Sequence, residues 1–183
     1  MKALIVLAAI ATTAHADSRA ELGTSLMVFS GNSDVKSPGY IGGAVTLGAW
    51  IDRIALVAEL GKTTWEEAST MSWTGLAARL AVIDHQVCRL EGCVHARLWG
   101  EAGLAHESWT LDQDLLTGSG TRVSSHLGGG VDFGGGHRQH IHMTMSFRVQ
   151  RAQVPDSMTT MDFSWGPYTT SLVFGVGLSV DTI

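Results

Sequence analysis

The sequence predicts an all-β fold, an eight-stranded antiparallel up-and-down transmembrane β-barrel with a side-chain-filled lumen. Three observations carry this expectation. Charged residues are only 16% of the chain while glycine takes 22 of its 183 positions, a balance that disfavours both a disordered chain and a charged helical one. Apolar residues alternate with small or polar ones over eight separate stretches, the period of a strand, whose successive side chains face opposite sides. Each stretch runs about ten residues or a little more, near the length a tilted strand needs to cross a hydrocarbon layer.

The first residues are set apart. Met1-Lys2 is a minimal basic start, residues 3–11 (ALIVLAAIA) form an apolar run too short to span a bilayer, and Ala14-His15-Ala16 fits the small-x-small cleavage rule. Residues 1–16 therefore read as an export signal. Removing those 16 from 183 leaves 167, residues 17–183, the size of one barrel domain beginning at Asp17. The formal charge of −5 becomes −6 once Lys2 leaves, so the basic face that nucleic acid requires is missing. No later stretch approaches about eighteen uninterrupted apolar residues, so any membrane insertion must be by strands.

Taken in order, the stretches are 20–30, 39–50, 53–64, 72–83, 94–108, 121–133, 140–150 and 169–180. Their apolar faces are Leu22/Leu26/Val28, Ile41/Val45/Leu47, Ile54/Leu56/Leu60, Leu76/Leu80/Val82, Val94/Leu98/Leu104 and Val123/Leu127/Val131/Phe133. The last two show the strongest contrast, Ile141/Met143/Met145/Phe147/Val149 and Leu172/Phe174/Val176/Leu178/Val180. None of these sets contains a charge. The opposite faces hold small residues such as Gly42, Ala44, Gly75, Ala77, Gly103 and Gly128, broken by a few ionisable ones. A water-facing side would carry many lysines and glutamates. A narrow closed barrel instead needs a small residue beside each large one. A soluble lipocalin-like barrel, with its apolar face turned inward around a ligand, is the architectural alternative.

With the N-terminus on the export side, the links 31–37, 66–71, 111–120 and 151–167 are expected as outer loops, and 51–52, 84–93 and 134–139 as inner turns. Cys88 and Cys93 fall in the longest inner link, where a small disulfide loop suits an oxidising compartment; a metal pair or two free thiols are the alternatives. Glycines 128–130 and 134–136 belong to a strand and a turn rather than a strand-to-helix junction, so they are not a nucleotide fingerprint. Trp65, Trp73 and Trp109 lie near the outer ends of strands where an aromatic girdle belongs, yet their parity faces the lumen. Either bulges correct that parity or the rings cap the barrel mouth.

Buried charges are tolerable only when paired, so the inward ionisable residues are expected to form an ion-pair network: Glu21, Glu59, Glu101 and Asp132 against Arg79, Arg97, Arg122 and Arg148. Antiparallel neighbours put Glu59 near Arg79, and hairpin pairing puts Asp132 opposite His140 or His142, with His126 deeper and nearer Arg148. Such a network closes a pore.

The whole stretch 17–183, with its last strand TSLVFGVGLSV (170–180), resembles the small eight-stranded outer-membrane β-barrel proteins, the family of the OmpA transmembrane domain and OmpX. In that family the final strand usually ends on an aromatic residue; here it ends LSVDTI. The resemblance implies a bacterial outer-membrane location, surrounding outer-membrane lipids, passage through the barrel-assembly machinery, and roles ranging over surface interaction, envelope integrity and small porin-like pores. A few members modify lipids. His106 and Ser108 share an outward face two residues apart, similar to the His and Ser of the lipid A deacylase barrels, although those enzymes follow the Ser with Asn where this chain has Trp109. His126, His140 and His142 share the lumen face, for which an Asp–His pair is the reading preferred over a metal site. The function expected is a non-enzymatic barrel with a charge-paired closed lumen, needing no cofactor and no metal, its outer loops making any extracellular contacts; a lipid hydrolase or a passive channel is the alternative.

Overall fold

Eight strands close on themselves in a computed structural model that describes residues 18–30, 40–65, 69–89, 92–113, 116–136, 139–153 and 168–182. In chain order they are β1 (Ser18–Ser30), β2 (Tyr40–Ile51), β3 (Ile54–Trp65), β4 (Ser69–Arg89), β5 (Gly92–Gln113), β6 (Leu116–Gly136), β7 (Gln139–Gln153) and β8 (Tyr168–Thr182). Each pairs antiparallel with its sequence neighbours, and β8 pairs back to β1. No strand edge is left around the middle of the wall.

The registers set the shape. From Ser18, successive partners are Ile51, Ile54, Leu80, Gly100, Gly129, Phe147, Phe174 and finally Val28 on β1 again, a stagger of ten residues (from 18 to 28). With eight strands that stagger corresponds to a tilt of roughly 40°, and the bore is narrow enough for side chains to fill. The expected parity is found on every strand. Leu22, Leu26, Val45, Leu60, Leu80, Leu104, Leu127, Phe147 and Phe174 are among the exposed side chains of an outer apolar girdle, and the alternate residues are buried within the bore. The inward-lipocalin alternative is thereby excluded, since its apolar face would lie inside. No helix of the described residues is long and apolar enough to cross a membrane.

Three expectations need correction. The strands from 69 to 136 are 21 or 22 residues long, where the expected stretches 72–83, 94–108 and 121–133 have 12, 15 and 13 residues. Most of the link 111–120 is therefore strand, paired down to Gln113↔Leu116, and most of the link 84–93 is strand as well, paired down to Arg89↔Gly92. Cross-strand bonding costs little to prolong once a hairpin has been aligned, and polar residues continue it without any apolar alternation for the eye to follow. The first inner turn is Asp52-Arg53 rather than 51–52; Asp52 takes a left-handed φ of 55°, a conformation aspartate adopts more readily than most residues. Residues 1–16, the outer link 31–37 and most of 151–167 lie outside the described residues.

One irregularity re-aims side chains. The β4–β5 ladder slips between Ala81 and Ile83, a β-bulge, so inward residues change from odd numbers (Arg79, Ala81) to even ones beyond it. Asp84 would otherwise point outward. Instead it turns into the lumen, where it meets Arg19, His95 and Arg97.

Candidate functional site: the charged lumen

The bore is stacked in three tiers. At the outer end Met27, Phe29, Ala44, Met71, Trp73, Trp109 and Val173 form an apolar cluster, with Tyr40 stacked on Phe29 at 4.6 Å. At the inner end Trp50, Ala55, Val57, Ala81 and Trp99 form a second. Between and around them runs the network of charges.

Its links follow from the register. Arg79 of β4 lies directly opposite Glu101 of β5 and donates from Nε at 2.9 Å; its guanidinium also stands 3.6 Å from Glu21 across the bore. Arg97 donates to Glu21 at 3.2 Å and to Asp132 at 3.4 Å. Arg148 holds Glu59 with two nitrogens, at 2.8 and 3.1 Å, and reaches toward Glu101 at 3.9 Å. Glu59, Arg148, Glu101, Arg79, Glu21, Arg97 and Asp132 thus form one continuous chain of alternating charge. Arg122 and Glu107 pair separately near the outer end at 2.5 Å, where Gln150 also donates to Glu107 and to Ser124.

Tryptophans complete it. The indole N–H of Trp50 donates to Glu21 at 2.8 Å and that of Trp73 to Glu59 at 2.6 Å, so these two carboxylates each accept an indole hydrogen bond as well. Arg79 lies 4.2 Å over the Trp99 ring and Arg97 lies 4.1 Å over Trp50, stacking that adds roughly 0.5–2 kcal/mol each at a desolvated site. Large inward groups sit over glycines directly across the ladder: Trp73 over Gly61, Trp99 over Gly130, Trp109 over Gly120 and Arg148 over Gly128. A Cβ at Gly61 would stand 2.0 Å from the Trp73 ring, so only glycine fits there.

Two expected pairings are overturned. Glu59 does not meet Arg79: Glu59 lies opposite Gly75 and Arg79 opposite Ala55, four positions apart along β3, and each finds a different partner. Asp132 is directly opposite neither expected histidine. It lies opposite Thr144, which donates to it at 2.9 Å, while His142 lies opposite Gly134 and packs edge-on against His95 at 5.0 Å. The side chain of His140 is outside the described set. His126 is buried with Nε2 3.6 Å from Glu101. Among the described residues no group of three or more His, Cys, Asp or Glu is placed to hold a metal ion.

Cys88 and Cys93 are bonded to each other across the inner tip of the β4–β5 hairpin. Trp73 and Trp109 keep their inward parity and cap the mouth from within; bulges do not turn them out. The Trp65 side chain is outside the described set. His106 and Ser108 do face outward and are exposed, opposite Thr74 and Ser72 of β4, while Glu107 between them turns into the lumen. Trp50, Trp99, His95 and Asp84 were not singled out by sequence reasoning. The first three share the parity of known inward neighbours, which is a usable signal; Asp84 gives none, because the bulge alone turns it in.

No protein-family model matches the chain, and no curated protein matches it. Solved structures do. The N-terminal β-barrel domain of Pseudomonas aeruginosa OprF is 16% identical with a TM-score of 0.52, covering 87% of this chain and 96% of that one. Neisserial surface protein A is 10% identical with a TM-score of 0.54, covering 91% of this chain and 97% of that one. The chain has the fold of the small eight-stranded outer-membrane barrels. In such a barrel the lumen is the only interior. Here it holds paired charges and indoles that tie strands remote in sequence to one another.

Proposed function

We propose that the chain is a non-catalytic barrel of the bacterial outer membrane, exported with loss of residues 1–16, whose lumen is closed by the charge network and whose outer hairpins serve surface interaction or envelope integrity. One observation carries this reading. Every strand exposes apolar side chains on its outer face while the network acids and arginines turn inward. Water would leave that outer face unsatisfied; lipid tails match it, and the inward charges then need the pairing they have. Closure of the lumen is supported by Trp50, Arg97, His95, His142 and Asp132, all nearly fully buried at the inner tier.

Cell fractionation combined with gel migration before and after heating tests the location. The protein is expected in the outer-membrane fraction, with the unheated form migrating faster. Recovery in the soluble fraction with no heat-dependent shift contradicts the reading. The purified protein is also expected to release no fatty acid from lipopolysaccharide; release that disappears in Ser108→Ala contradicts the non-catalytic part.

A further inference from the structure

Near the outer end of the wall, four exposed side chains stand side by side on adjacent strands. Lys62 of β3 lies opposite Ser72 of β4, Ser72 opposite Ser108 of β5, and Ser108 opposite Thr121 of β6. One step toward the middle, exposed Thr74 lies opposite exposed His106. Below them Leu76 faces Leu104 across the same ladder, and Leu60 and Val123 flank the second row, so the polar patch sits on the rim of the apolar girdle. Strands lie about 4.8 Å apart and alternate residues about 7 Å along a strand, which gives a surface of roughly 14 by 7 Å.

The patch is rich in donors: an ammonium, a ring nitrogen and four hydroxyls. The acids of the lumen network, Glu21, Glu59, Asp84, Glu101, Glu107 and Asp132, all turn away from it into the bore. Arg151 of β7, exposed and opposite Ser125, adds a second outward cation at this end. A surface of cations and hydroxyls at the edge of an apolar band complements a phosphate-bearing headgroup whose acyl chains run down that band.

We propose that Lys62, Ser72, Thr74, His106, Ser108 and Thr121 form a seat for the phosphate of a lipid headgroup, Lys62 supplying the charge and the others hydrogen bonds. The inference deepens the membrane reading and rests on it. On this account His106 and Ser108 bind a lipid phosphate; they do not cleave an ester.

The test uses the full mature protein inserted in phosphatidylcholine vesicles with a little bisphosphorylated lipid A, or with the same glycolipid after dephosphorylation. Retained lipid is counted by native mass spectrometry. The phosphorylated form is expected to be kept about tenfold more than the dephosphorylated one, and Lys62→Ser with His106→Asn should bring the ratio near one. Thr121→Val, a milder change, should lower it part-way. Full displacement by inorganic phosphate alone assigns the seat to a free anion and overturns the lipid part. Equal retention of both lipids by a wild-type barrel that still shows heat-dependent migration overturns the seat while leaving the barrel reading intact; failure of the wild type to enter vesicles overturns both.

Discussion

At the residue scale the lumen is governed by the cost of an unpaired buried charge. Arg79→Ala leaves Glu101 and Glu21 without their shared guanidinium, and is expected to lower unfolding stability in detergent by about 3–5 kcal/mol. Arg148→Ala should cost a similar amount by stranding Glu59. Urea titrations followed by tryptophan fluorescence measure both; losses under about 1 kcal/mol would mean these pairs contribute no more than exposed ones. Packing imposes a second constraint. Gly61→Ala places a methyl group against the Trp73 ring and should destabilise by about 1–3 kcal/mol, and pairing it with Trp73→Ala should recover part of that loss. That the arginines and carboxylates face inward was legible from parity alone. Which acid meets which arginine was not, because side chains as long as arginine cross a narrow bore and choose partners on strands remote in sequence, as Arg148 and Glu59 do over 89 residues.

At the element scale the informative feature is the bulge in β4. Deleting Val82 removes the extra residue, so that Ala81, Ile83 and Asp84 alternate regularly and Asp84 still faces Arg19, His95 and Arg97. The expected result is a barrel that assembles with little change in unfolding denaturant, in which Asp84→Ala costs about as much as it does in the undeleted chain. Loss of the Asp84→Ala effect in the deleted background would show that the deletion had turned Asp84 out of the lumen. The disulfide at the tip of the same hairpin closes only a short loop, so reduction or Cys88→Ser should cost about 2 kcal/mol and leave heat-dependent migration intact. The bulge had no sequence signal, since one extra residue in a run that is apolar throughout, Leu80-Ala81-Val82-Ile83, leaves the pattern ambiguous. The extent of β5 and β6 was equally hidden. Beyond the apolar girdle both faces meet water or polar neighbours, so alternation fades although the ladder continues.

At the scale of the whole molecule, fold class, strand number, order and facing were legible because one physical demand acts on every strand alike: apolar side chains outside, small and charged ones within. Strands β7 and β8 show it most clearly, the odd positions from Ile141 to Val149 and the even ones from Leu172 to Val180 all turning outward. Closure of the lumen belongs to this scale too. Planar bilayers containing the purified protein are expected to show no discrete conductance steps, whereas removing inner-tier bulk with Trp50→Ala and Trp99→Ala should admit some; steps in the wild type would show that the tiers leave a path. The most direct test of the outer girdle reads its environment residue by residue. Spin labels placed singly along residues 143–149 and 172–178 of the vesicle-inserted barrel, with both native cysteines replaced, should alternate with period two. The positions of Met143, Met145, Phe147, Val149, Phe174 and Val176 should be open to oxygen dissolved in the hydrocarbon and shielded from a water-soluble nickel chelate. Labels at those positions that are instead immobilised and closed to oxygen, or open to the chelate, would place the apolar face against protein or water and contradict the account.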